Sequence, residues 1–121
     1  MMKKRNNTQF GVIIISTFPD EESAVKVAKE SIVNKKLCAC VNLTKVRSLY
    51  DWKNNLEDQE EFLALFKTTD STAKELKSYI KEVHPYDIPE IVELKMNDVS
   101  KNYLSWILES TTRTNNRKNK N

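Results

Sequence analysis

The stretch Phe10 to Phe18, FGVIIISTF, decides how the rest of the chain must be arranged. It is β-branched and apolar at nearly every position, without alternation, which is the pattern of a central strand covered on both faces. Pro19 stops the strand. Asp20 follows as a helix N-cap, with Glu21 and Glu22 in the first turn where the helix dipole favours acids. Ala24, Val27, Ala28, Ser31 and Ile32 then recur at helical offsets, predicting an amphipathic helix that ends near Asn34 to Lys36.

Beyond that helix, CACVNLTKVRSLYDW (Cys38 to Trp52) reads as a long extended segment. Val41 and Leu43 share one face, but past Lys45 the apolar parity moves to Val46, Tyr50 and Trp52, predicting a bulge near Thr44. Lys53-Asn54-Asn55 reads as a hairpin turn, because asparagine tolerates positive φ. A third strand runs from about Asp58 to Lys67. Thr69 to Ser71 cap a second helix with Ala73, Leu76, Ile80 and Val83 as its buried stripe. Pro85 forces His84 out of the helical region and ends that helix. The segment IPEIVELKM predicts a fourth strand, at an edge because of Pro89. Asn97 or Asp98 caps a last helix in which Val99, Tyr103, Trp106 and Ile107 face inward.

The order β-α-β-β-α-β defines an α+β fold, a ferredoxin-like βαββαβ sandwich with an added C-terminal helix. Its first and third strands are central, its second and fourth are edges, and both main helices cover one face. The other face is apolar yet lacks a cover, and the long second strand leaves an exposed edge. Association of identical chains removes both liabilities, so an oligomer is expected.

Composition narrows the function. The 121 residues suit one domain, taken as 9–110, between a disordered N-terminal tail at 1–8 and a polar, basic tail at 111–121. The net charge of +3 comes largely from those tails, which argues against nucleic acid as a partner. No apolar run approaches the roughly 18 residues that span a bilayer, and none makes a signal-peptide core. Membrane insertion is therefore not expected, and a cytoplasmic location with reduced thiols is. A single glycine, Gly11, excludes phosphate-cradling loops and dinucleotide fingerprints. With no CxxC pair and no HExxH segment, any metal site must be assembled from distant parts or from several chains.

The chemistry concentrates in HPYDIPE, His84 to Glu90, which holds the only histidine, two of the three prolines, a tyrosine and two carboxylates. On such a stiff corner these groups can bind a cation, hold a small polar ligand, or act as structural hydrogen-bond partners. No nucleophile-base pair or paired-acid arrangement is identifiable, so the chain is not read as an enzyme.

Five stretches in order, LCACVN, SLYDW, EEFLALFKT, HPYDIPEI and YLSWILES, make the chain resemble the CutA family of divalent-cation tolerance proteins. The resemblance covers nearly everything between Phe10 and Ser110. It implies a ferredoxin-like subunit in a tight homotrimer, linked to tolerance of copper and other divalent metals. Copper or another divalent cation is the implied cofactor, and none is required for folding. On this reading Cys40, which matches the family's cysteine, joins His84, Asp87 and Glu90 as candidate metal ligands; soft thiolates suit Cu(I), and imidazole suits Cu or Zn. Cys38 falls where the family has a small residue, and Asp87 where it commonly has Glu. The hairpin has Asn54 and Asn55 where the family usually has glycine. Glu61, Lys67 and Tyr86 are candidates for a ligand cleft, and Tyr50, Trp52 and Trp106 for a subunit interface. Two alternatives remain: a sensor like the trimeric PII signalling proteins, binding a small anionic metabolite in inter-subunit clefts, or a trimeric interaction scaffold.

Overall fold

The computed structural model describes residues 9–112. The expected tails at 1–8 and, for the most part, at 111–121 lie outside the described residues. Strand β1 spans Gly11–Phe18, helix α1 Glu21–Lys29, strand β2 Cys40–Trp52, strand β3 Asn55–Thr69, helix α2 Asp70–Val83, strand β4 Val92–Lys95 and helix α3 Lys101–Ser110. The four strands form one antiparallel sheet in the order β2-β3-β1-β4, with β1 and β3 central. This is the ferredoxin-like arrangement.

Helices α1 and α2 both pack on β1 and β3. Val12, Ile14 and Phe18 of β1 and Ala64 and Phe66 of β3 are fully buried beneath them, with Ala24 and Val27 of α1 and Leu76 and Ile80 of α2. The alternate positions Ile13 and Ile15 are only half-buried, so one face of this chain's sheet is sealed and the other is partly open. Asp20 caps α1 as expected, its carboxylate accepting from the Ser23 amide at 2.8 Å. The helix continues into a π-helical turn at Glu30–Asn34, and Lys36 leaves it at φ 50°. Gly11 passes so close to the Met96 side chain that a Cβ there would collide with its sulfur.

The hairpin differs from expectation in one respect. The β2–β3 register runs without interruption from Cys40 opposite Lys67 to Trp52 opposite Asn55, so there is no bulge near Thr44. Val41 and Leu43 pack on the helix-covered core, whereas past Lys45 the strand projects beyond the helices. The apolar side chains change faces past the end of the helix-covered core, with no kink in the backbone. A two-residue turn closes this long arm, with Lys53 at φ 52° and Asn54 at φ 68°.

Further differences lie near the C-terminal half. Strand β4 begins only at Val92, since Pro89 has no N–H to give a ladder and the corner before it stays irregular. It pairs with β1 from Val12 to Ile15 and goes no further. Ser100, rather than Asn97 or Asp98, caps α3, accepting from the Tyr103 amide. Helix α3 packs on β3 and buries Ile107, but Trp106 remains 43% exposed; Val83, at the end of α2, is likewise exposed.

Candidate functional site

The corner expected from HPYDIPE forms as the sequence dictates. His84 caps α2 in an extended conformation, φ −68° and ψ 138°, because Pro85 follows it. Since β4 stops opposite Ile15, the end of β1 is open to another partner, and His84 supplies it. Its Nε2 lies 2.9 Å from the Thr17 carbonyl oxygen, and its Nδ1 lies 3.1 Å from the Tyr86 amide nitrogen. A carbonyl only accepts and an amide only donates, so the ring is the neutral tautomer protonated at Nε2. The imidazole also stacks on Phe18, with centroids 4.4 Å apart. Burial pushes its pKa below the ordinary value, opposed by the Thr17 bond and by the charge of Glu61.

Between this corner and the projecting arm lies a cleft of about 850 Å³. Tyr50 and Trp52 reach it from β2, Glu61 from β3, and Tyr86, Asp87 and Glu90 from the corner. The Tyr86 hydroxyl donates to Glu61 Oε2 at 2.7 Å, and the Tyr50 hydroxyl to Gln59 Oε1 at 3.3 Å. Glu61 is only 6% exposed, although it is a carboxylate on a cleft wall. Burial and the adjacent Glu61 carboxylate push the Tyr86 phenol well above its usual range. Arg47, also at the wall, is held by Asp58 through two bonds of 2.8 and 2.7 Å. That pair raises the guanidinium and lowers the carboxyl relative to their ordinary pKa values.

The candidate residues separate into two groups. Glu61 and Tyr86 meet, with Asp87 and Glu90 exposed nearby on the same cleft. Lys67 does not join them; six residues along β3 from Glu61, it is about 20 Å away and opposite Cys40. Cys40 is half-buried on β2, its sulfur 3.9 Å from Asn42 Oδ1, and four residues along the strand from the level of Thr17 and His84, roughly 13 Å. Cys38 is fully buried, and burial pushes its thiol up to about 12. Among the described residues, no three His, Cys, Asp or Glu side chains are grouped to hold a metal ion. Within one chain, therefore, Cys40, His84, Asp87 and Glu90 do not form a joint site, and both nitrogens of His84 are already engaged. Tyr50, Trp52 and Trp106 are all exposed in the single chain.

Thr17, Arg47 and Gln59 were not expected at the site. Thr17 contributes a backbone carbonyl, which carries no side-chain signal. Gln59 was detectable in principle, because a two-residue turn at Lys53-Asn54 sets it opposite Ser48, beside Tyr50.

A one-sided antiparallel sandwich with a polar cleft at a proline-stiffened corner places the chain among ferredoxin-like α+β proteins with a candidate binding site at the sheet's end. The family described as CutA1 divalent ion tolerance protein matches residues 12–110. The divalent-cation tolerance protein CutA of Pyrococcus horikoshii is 43% identical over 100 residues, covering 83% of this chain and 97% of that protein. The CutA homolog of Danio rerio is 39% identical over 101 residues, 83% of this chain and 67% of the relative. The crystal structure of CutA1 from Pyrococcus horikoshii superposes with a TM-score of 0.80 at 41% identity, covering 84% of this chain and 99% of that one. A protein from Archaeoglobus fulgidus described as periplasmic divalent cation tolerance protein CutA superposes with a TM-score of 0.80 at 32% identity, covering 84% and 98%. The chain belongs to the CutA family of divalent-cation tolerance proteins. No helix among the described residues is long and apolar enough to cross a membrane.

Proposed function

We propose that the protein serves divalent-cation tolerance as a non-enzymatic homotrimer, taking copper or another divalent cation at donors shared between chains. The separation of its donors carries the reading. Cys40 stands on an edge strand, Asp87 and Glu90 stand on an exposed corner, and a single chain does not gather them. A shared site needs neighbouring chains, and exposed Leu94 on β4 and Trp106 on α3 give those chains apolar surface to bury. Cys40 is the soft donor such a site needs for Cu(I). His84 is not required, because ligation would break its bond to Thr17 or to Tyr86. The same engagement supports a non-catalytic role, since the imidazole has no free lone pair with which to take a substrate's proton. Two free cysteines fit the cytoplasm, where thiols stay reduced.

An anionic metabolite in the cleft, as in a PII-like sensor, has less support: Lys67 lies at the far end of β3, and the Arg47 guanidinium is already paired. The test is a titration of reduced, metal-free protein with Cu(I), Cu(II) and Zn(II) against competing chelators, with assembly mass followed by light scattering. A trimer mass with saturable binding that Cys40→Ser abolishes, the variant remaining trimeric, is the expected result. A monomer mass, or binding indifferent to Cys40→Ser and to Asp87→Asn with Glu90→Gln, overturns it.

A further inference from the structure

We draw no further inference here: the strongest candidate, the partly open face of the sheet that carries Ile13, Leu65, Lys67 and exposed Leu94, is an apolar surface whose cover by a second copy is the assembly already proposed above, and nothing in the structure shows what else covers it.

Discussion

The His84 imidazole donates from Nε2 to the carbonyl oxygen of Thr17, 2.9 Å away and 67 residues earlier in the chain. This bond joins the end of α2 to the end of β1 where β4 no longer reaches, and it sets the position of Tyr86 through Nδ1. His84→Ala removes both bonds and the stack on Phe18. Denaturant unfolding should show a loss of about 2 to 4 kcal/mol, while copper affinity changes far less than in Cys40→Ser. A copper site lost in His84→Ala with the fold intact would count against this assignment.

Acid should weaken the fold through the same ring. Burial lowers the folded-state pKa of His84 below 6.5, so between the two values the unfolded chain binds more protons than the folded one. The contribution is fully present above about pH 6.5 and is lost as pH falls through the depressed folded value. Unfolding curves across pH 7 to 4 should show this decline in the wild type and a shallower one in His84→Ala. Parallel curves would remove His84 as the cause.

Tyr86→Phe deletes the hydroxyl that donates to the nearly buried Glu61 carboxylate. The expected cost is about 1 to 3 kcal/mol, because the carboxylate loses a charge-assisted bond while remaining out of water. Glu61→Gln in the Tyr86→Phe background should recover part of it by removing the charge. If the two substitutions add without coupling in a double-mutant cycle, the pair is not a stabilising unit.

The two thiols should behave differently. Cys38 is fully buried with its thiol pushed up to about 12, whereas Cys40 is half-buried on an edge strand. A thiol-reactive dye at neutral pH should modify one cysteine per native chain, identified as Cys40 by peptide mapping, and both after unfolding. Rapid modification of Cys38 in native protein would contradict its burial.

Lys53 and Asn54 both hold positive φ at the tip of the arm, where side chains are disfavoured. Lys53→Asn with Asn54→Gly should stabilise the protein by about 1 kcal/mol and leave the bond between Tyr86 and Glu61 unchanged. A lower melting temperature would show that the Lys53 side chain over Trp52 outweighs backbone strain.

Much of this was legible in order along the chain. The unbroken apolar run of β1, the Asp20 cap, the apolar positions Ala73, Leu76 and Ile80, and the proline stop at His84 are local signals, and local sterics and periodicity determine them. The sheet order followed from them because few right-handed connections exist. The types of side chain at the corner were visible too, since they are adjacent in sequence.

What tertiary structure alone decided is which of these groups meet. The parity change in β2 resembled a bulge, because a pattern records which face is covered but not what covers it. Lys67 read as a companion of Glu61, yet the extended rise of β3 carries them to opposite ends. His84 read as a candidate metal ligand from its type and from the family resemblance; that a carbonyl from Thr17 and an amide from Tyr86 face its nitrogens in the single chain was not legible. Backbone groups have the same chemistry at every residue, so no sequence marks the one that a fold will bring to a given side chain.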